Sequence, residues 1–193
     1  SIFGAINGLT SKSTPVDADS VLLIDSEASN AGKRLTFINL KAFLKTYFDS
    51  LYAVQASYYA NTMAGNGSTA TKIPYYTNQP TNSPNGQFTV ANSATNGLSI
   101  TINVAGVYAF TASFDTGVGY VGLSLNASSL TTNIQSLAAT ERLGCAYVNS
   151  IGEAIQVTTV RRFAVNDVIR PHTAGATAAT AATNNFNCER VSA

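Results

Sequence analysis

The stretch "LSITINVAGVYAFTASF", residues 98 to 114, shows the pattern that governs most of this chain. In its first half, apolar residues alternate with serine, threonine and asparagine at Leu98, Ile100, Ile102 and Val104. "GVYAFTASF" then follows as a second apolar segment after a single alanine. A period of two is typical of β-strands with one buried face, so the stretch predicts two consecutive strands.

Further segments with strand signals follow along the chain. Turn-forming residues separate them at intervals of about 8 to 12 residues, which is typical of a β-sandwich or barrel. The sequence therefore predicts an antiparallel β-sandwich knob over residues 87 to 193. Its remaining strand candidates are residues 121–127, 144–149, 154–160, 167–173 and 186–191.

The composition limits the class of function. Of the 193 residues, 45% are hydrophobic and only 11% are charged, so hydroxyl and amide groups must keep the surface hydrated. A net charge of +1 offers no basic footprint for nucleic acid or an anionic membrane. No apolar run is long enough to span a bilayer, and "SIFGAINGLT" lacks the regions of a signal peptide. We therefore expect synthesis in the cytoplasm without membrane insertion.

Charge divides the chain into two parts. Residues 1 to 53 carry ten charged side chains and the remaining 140 residues carry eleven, which predicts a boundary near Tyr52. We predict an N-terminal anchor over residues 1–53, a connector over 54–86 and the knob over 87–193. The connector contains tyrosine pairs, turn formers and three of the five prolines, which favours an extended, locally packed segment.

The anchor combines a hairpin with an amphipathic helix. "SVLLID" (20–25) and "RLTF" (34–37) flank a turn-rich stretch and predict paired strands. "TFINLKAFLKTYFDSLY" (36–52) predicts a helix, which Thr36 or Asn39 would cap. Because so short a helix is marginal alone in water, its apolar seam predicts self-association or docking. The seam consists of Phe37, Leu40, Leu44, Tyr47 and Leu51, widened by Phe43 and Phe48.

Residues with catalytic or cofactor chemistry are scattered. Gly117, Gly119 and Gly122 have dinucleotide-motif spacing, but a strand pattern follows them, so we expect a strand entrance or bulge. His172 is the only histidine, which excludes a histidine-rich metal site and favours a structural role. Sequence cannot pair any two carboxylates at a glycosidase separation. The carboxylates of the knob are Asp115, Glu141, Glu153, Asp167 and Glu189.

The arginines and cysteines leave alternatives open. The arginines of the strand region form a basic patch if the strands align, or pair with carboxylates, or line a subunit interface. They are Arg142, Arg161, Arg162 and Arg170.

Cys145 and Cys188 lie 43 residues apart without metal-type spacing, and we expect buried free thiols. We expect no enzymatic activity, metal or cofactor.

Residues 8 to 52 resemble a segment that recurs near the N-terminal part of fibre and other virion proteins of tailed bacteriophages and prophages. The shared pattern is a Thr-Pro-x-Asp-x-Asp motif, an Asp-Ser pair and a Leu-Lys-Thr-Tyr-Phe-Asp-x-Leu-Tyr helix. These features are Thr14, Pro15, Asp17 and Asp19, then Asp25 and Ser26, then Leu44 to Tyr52. The resemblance implies a structural protein of a phage virion.

A second resemblance covers roughly residues 65 to 193. "GVYAFTASF", "VGLSL", "RRFAVNDVIRPHT" and "NNFNCERV" look like the jelly-roll heads of the complement and tumour-necrosis-factor superfamily. The matching positions are Gly106, Val107, Tyr108, Phe110, Asp167, Val168 and Phe186. The chain departs from these heads where Cys188 to Val191 replace a Gly-aromatic-Leu strand. Such heads are trimers, as many phage fibres and decorations are, so the resemblance implies a homotrimeric jelly roll.

Together these observations predict a trimeric capsid decoration (cement) protein or short head fibre on the virion surface. The anchor would bind the major capsid protein or another virion protein. The alternative is a tail fibre whose loops 115–120 and 174–185 bind host surface glycans. A virion-borne glycan hydrolase is a third hypothesis, in which activity would depend on Asp115, Glu141, Glu153 or Asp167.

Overall fold

The computed structural model describes residues 13–27, 31–51, 55–115, 117, 119–150, 152–174 and 183–192. The chain forms two compact units, Ser1–Leu51 and Tyr52–Ala193, which we call the N-terminal module and the head. The boundary lies beside the position where the density of charged residues falls. Within the described residues, the structure contains no helix long and apolar enough to cross a membrane.

The N-terminal module contains a hairpin followed directly by a helix. Strands β1 (Ser20–Asp25) and β2 (Ala31–Thr36) pair antiparallel along their whole length. Helix α1 (Phe37–Leu51) begins at the next residue. The first strand and the helix agree with the apolar patterns to within a residue, whereas β2 begins three residues before the predicted start at Arg34 and ends before Phe37.

The head contains ten strands and two short 3₁₀ turns among its described residues. The turns are Ile134–Ser136 and Ala139–Glu141. The strands are β3 (Ser57–Asn66), β4 (Pro74–Ser83), β5 (Phe88–Ser93), β6 (Gly97–Ile102), β7 (Gly106–Asp115), β8 (Gly119–Leu125), β9 (Arg142–Val148), β10 (Ala154–Phe163), β11 (Val168–Thr173) and β12 (Asn185–Ser192).

The ten strands form two antiparallel sheets of five. One sheet has the order β10-β7-β12-β3-β4 and the other has the order β5-β6-β11-β8-β9. From β6 to β12 the chain crosses between the sheets five times, which is how a jelly roll builds two packed sheets from sequential strands. The predicted fold class, a mainly β chain with an antiparallel jelly-roll sandwich, is confirmed.

Aromatic side chains fill the space between the two sheets. Phe110 is fully buried in β7, and its ring centroid lies 5.3 Å from that of Phe163 and 6.1 Å from that of Phe186. Tyr108 stacks on Phe110 at 6.3 Å, and its hydroxyl donates to the carbonyl of Val104 at 2.7 Å. The buried tyrosine therefore satisfies its polar atom while its ring fills the core.

The predicted connector over residues 54–86 needs correction, because strands β3 and β4 lie within it and belong to the head. Two features hide these strands in the sequence. Bulges interrupt the β3–β4 register near Asn61 and Gly65, which breaks the period of two. Pro74 and Pro80 lie on β4, which is an edge strand and therefore tolerates residues without a backbone N–H.

The two ends of the head differ. Strand β3, the first strand of the head, begins at Ser57. Ser57 pairs with Glu189, and Glu189 pairs with Ala109 near the start of β7. At the opposite end, which we call the distal end, β7 joins β8, β9 joins β10 and β11 joins β12. The β3–β4 and β5–β6 connections lie at the same end, since β3 ends beside the start of β12 and β6 begins beside the end of β11. The distal end therefore collects five connections and lies away from residue 57.

Removing the central aromatic ring should destabilise the head strongly. We expect Phe110→Ala to lower the free energy of unfolding by about 3 to 5 kcal/mol, because it leaves a cavity between three other rings. Urea unfolding followed by tyrosine fluorescence measures this. Val165→Ala, at an exposed turn position, is the control and should change stability by about 0.5 kcal/mol or less. An equally small effect of Phe110→Ala would contradict the core described above.

Candidate functional site

The Thr-Pro-x-Asp-x-Asp segment forms the turn that receives the start of helix α1. The Asp19 carboxylate accepts the backbone N–H of Val16 at 2.7 Å. The backbone carbonyls of Asp19 and Asp17 accept the N–H groups of Phe37 and Ile38, at 2.8 and 3.4 Å. The motif therefore satisfies two donors that a helix N-terminus leaves unpaired.

The prediction that Thr36 or Asn39 caps this helix needs correction. Thr36 is the last residue of β2, and its buried hydroxyl has no hydrogen-bond partner. Because the carbonyls of the preceding turn already bind the first helical N–H groups, no side-chain cap is required there. An ion pair between Lys41 and Asp17 adds a further link, but both side chains are more than half exposed and its contribution is about 0 to 1 kcal/mol.

The seam of helix α1 is largely exposed in the described part of the N-terminal module. Phe37 and Leu40 are half-buried, whereas the exposed fractions of Leu44, Tyr47 and Phe48 are 38%, 49% and 47%. The side chain of Leu51, the last predicted seam residue, lies outside the described residues. The seam thus forms an apolar surface rather than a core.

Aromatic rings extend this surface. The Phe43 ring stacks on the Tyr47 ring at 6.4 Å, and Tyr47 meets Phe48 edge to face at 5.6 Å. No residue of the module whose side chain is described is buried. A contiguous exposed apolar surface of this kind marks an interaction site in a folded protein. The exposed large apolar residues of the module are Val16, Val21, Leu22, Leu23, Ile38, Phe43, Leu44, Tyr47 and Phe48.

In the head, two of the candidate carboxylates hold loops in place. Asp115 is buried, and its Oδ2 accepts the hydroxyl of Thr183 at 2.7 Å. Glu141 accepts the backbone N–H of Ser128 at 2.8 Å, and this bond lowers the pKa of the Glu141 carboxyl. A hydrogen bond to the ionised form stabilises it, so Glu141 stays charged.

The other carboxylates lie apart from these. Asp167 accepts the side-chain N–H of Asn126 and the backbone N–H of Ala164, both at 2.8 Å, and fixes the turn between β10 and β11. Glu153 is exposed before β10, and Glu189 is exposed on β12. The carboxylates are therefore distributed over both sheets and their turns. Among the described residues, no group of three or more acidic, histidine or cysteine side chains could hold a metal ion.

His172 is a buried structural residue. Its Nε2 lies 2.8 Å from the carbonyl oxygen of Thr132, so this nitrogen carries the proton, and its Nδ1 accepts the hydroxyl of Ser124 at 3.0 Å. These bonds tie the long connection between β8 and β9 to the outer side of β11. Burial lowers the pKa of His172, and the nearby positive charge of Arg170 adds to this effect.

The arginines do not converge on one patch. Arg142 of β9 and Arg170 of β11 both pair with Ser124 of β8, one from each side. Arg161 and Arg162 lie on β10 in the other sheet. The guanidinium of Arg161 lies 5.6 Å from the centre of the Phe163 ring, a cation–π distance. Burial lowers the pKa of Arg170.

The glycine motif and the cysteines have structural roles. Gly119 and Gly122 belong to strand β8, so no helix N-terminus is present for a pyrophosphate. A Cβ on Gly122 would lie 2.1 Å from the carbonyl oxygen of Gly144, where β9 approaches closely. Both cysteines are free thiols, but only Cys188 is buried, and the expectation that Cys145 is buried as well is wrong. Burial raises the pKa of the Cys188 thiol.

The outer side of the sheet containing β7 carries few charges, and Arg162 of β10, opposite Val107, lies at one end of it. Phe110, Ala112 and Phe114 point into the core, so the alternate residues of β7 lie on the outer side. Sequence analysis did not identify this surface, because its composition resembles the rest of the chain. We call the central part of this surface the neutral face. It has nine residues, and Glu189 is the one charged residue among them. They are Ala109, Thr111, Ser113, Gln156, Thr158, Val160, Asn185, Asn187 and Glu189.

The chain matches no protein-family model and no curated protein. Among solved structures it is similar to pika GITRL, with 9% identity, 70% of this chain and 94% of that chain covered, and a TM-score of 0.44. It is also similar to the crystal structure of murine APRIL at pH 8.5. The identity is 10%, the match covers 72% of this chain and 100% of that chain, and the TM-score is 0.46. The jelly-roll assignment itself rests on the strand order of this chain.

The single histidine predicts a pH dependence of stability. Because the pKa of His172 is lowered from 6.5 in the folded head, the unfolded chain takes up the proton first as the pH falls. Stability should be full above pH 6.5 and fall below it, with a slope of at most about 1.4 kcal/mol per pH unit. Urea unfolding between pH 7.5 and 5 measures the slope. His172→Gln, which can bond to Thr132 and Ser124, should abolish it, and an unchanged slope in this variant would contradict the assignment.

Proposed function

We propose that this chain is a non-enzymatic structural protein of a tailed-phage virion, made in the host cytoplasm and carried as a homotrimer. Its head would project from the particle as a capsid decoration protein or short head fibre, while the N-terminal module binds the major capsid protein or another virion protein. The observation that carries the proposal is the contrast between the two units: the head buries a complete core, and the described part of the module buries no side chain.

The module supports docking through its apolar seam. Leu44, Tyr47 and Phe48 remain exposed although they are large and apolar, and their burial against a partner is favoured by roughly 25 cal/mol per Å². A helix of fifteen residues depends on such packing for most of its stability. Sister modules or a virion protein would supply it.

The neutral face supports self-association of the head. It is a surface of mostly small, uncharged side chains across three strands, in which Glu189 is the one charge, so a sister head could pack on it with little cost of desolvating charge. Closed cyclic symmetry buries such a face on every copy. The phage assignment is supported by the resemblance of residues 8–52 to virion fibre proteins.

A second candidate function is recognition of host surface glycans by the head of a tail fibre. The distal end favours it, because five connections gather there and the exposed aromatic ring of Tyr120 lies beside them. Of the predicted contact loops 115–120 and 174–185, the residues 116, 118 and 175–182 lie outside the described residues.

A charge in the seam should prevent assembly. We expect Leu44→Asp to reduce the mass of the purified protein from three chains to one, or to reduce its incorporation into particles at least tenfold, because burying an unpaired charge is costly. Light scattering and quantitative immunoblots of purified particles measure the two effects. Ala42→Asp places the same charge on the opposite side of the helix and should change neither. Unchanged mass together with normal incorporation of Leu44→Asp would contradict the role of the seam.

The position on the particle separates the two candidate functions. A gold label on the chain should lie on the capsid, and particles that lack the chain should lose capsid stability to heat. Electron microscopy and a thermal-release assay measure this. A label on the tail together with full capsid stability would contradict the decoration role and support the tail fibre.

A further inference from the structure

Two tyrosines form an aromatic pair on the surface of the head. Tyr120 of β8 and Tyr147 of β9 face each other in the strand register, with ring centroids 4.8 Å apart and planes inclined by 59°. Their exposed fractions are 38% and 47%, and they are the two exposed large aromatic side chains among the described residues of the head. In contrast, the buried aromatic rings of the head are at most 2% exposed.

The pair is held rigidly. Six residue pairs join β8 to β9, and the carbonyl oxygen of Tyr120 accepts the N–H of Ala174 at 2.8 Å. A ligand would therefore not have to order these strands on binding, which is the cost that preorganisation removes. Neither tyrosine hydroxyl has a hydrogen-bond partner among the described residues, so both remain available to a ligand.

The surroundings of the pair are mainly polar. Asn149 and Ser150 come two and three residues after Tyr147 and are exposed, and Cys145 is exposed on the same side of β9. The residues beside Tyr120 along β8 are Gly119 and Val121. Bases of single-stranded nucleic acid also stack on aromatic rings, but such sites add a row of cationic side chains that follow the phosphates. Lys72 lies beside the pair, where its Nζ donates to the carbonyl of Ala174 at 3.3 Å, and a single lysine does not form such a row.

The location also favours an external ligand. Tyr120 and Tyr147 lie at the distal end, where β8 begins and β9 ends, on the opposite end of the head from Ser57. Aromatic rings offer an apolar surface, and the tyrosine hydroxyls and amide groups offer hydrogen bonds at its rim. This combination matches a sugar ring, which has apolar C–H groups on its faces and hydroxyl groups around its edge.

We infer that Tyr120 and Tyr147 form a binding site for a neutral saccharide. The inference rests on the second candidate function, glycan recognition by the head, and assigns that recognition to these two residues. One tyrosine ring stacks against the C–H face of a sugar ring and the other, inclined by 59°, contacts its side. The tyrosine hydroxyls and the side chains of Asn149 and Ser150 bind the hydroxyl groups at its edge.

The test uses the full chain and a panel of neutral sugars: glucose, galactose, mannose, N-acetylglucosamine and their disaccharides. Saturation-transfer NMR should show transfer to the ring C–H protons of at least one sugar. Tyr120→Ser and Tyr147→Ser should each reduce the signal at least tenfold. Tyr147→Phe should keep the stacking and lose only part of the affinity. Val165→Ser, an exposed substitution at the other end of the head, should leave binding unchanged.

Three results would overturn the inference. They are the absence of transfer to every sugar, undiminished binding in both serine variants, and a fall in the mass of the protein when either tyrosine is replaced. The last result would make the pair a contact between copies of the chain. Failure of sugar binding together with normal incorporation into particles would reject this site and leave the structural role in the virion intact.

Discussion

The packing of aromatic rings between two five-stranded sheets is the interaction on which the rest of this structure depends. Phe110 touches rings from three other positions in the chain, which lie on β7, β10 and β12 of one sheet. The second sheet closes over them with aliphatic side chains such as Ile100 and Leu123. With its interior complete, the head can leave its loops, its neutral face and its tyrosine pair free for contacts.

The N-terminal module differs from the head in that most of its large apolar side chains are exposed. Its two strands pair with each other, and the first two N–H groups of its helix bond to the backbone carbonyls of Asp19 and Asp17. Its large side chains, such as Phe43 and Leu22, remain on the surface. Hydrogen bonds alone contribute little net stability to so short a helix, and this is the physical reason for our proposal that a partner covers the module.

Much of this fold could be predicted from the sequence, and the exceptions have physical causes. Strands with an undisturbed period of two, such as β6 and β7, appear within a residue or two of their predicted bounds. Strand β4 was missed because its prolines, which an edge strand tolerates, resemble turn signals. Strand pairing decides which surface residues meet, so Tyr120 and Tyr147, 27 positions apart, could not be recognised as a pair before the register was known.

The central claim is that the head is stable by itself and the module is not. Hydrogen exchange of the dilute, purified chain tests it directly, because amide protection reports the local cost of opening. The account predicts that the amides of β7 exchange orders of magnitude more slowly than those of helix α1 when no partner is present. Protection of α1 equal to that of β7 at high dilution would contradict it.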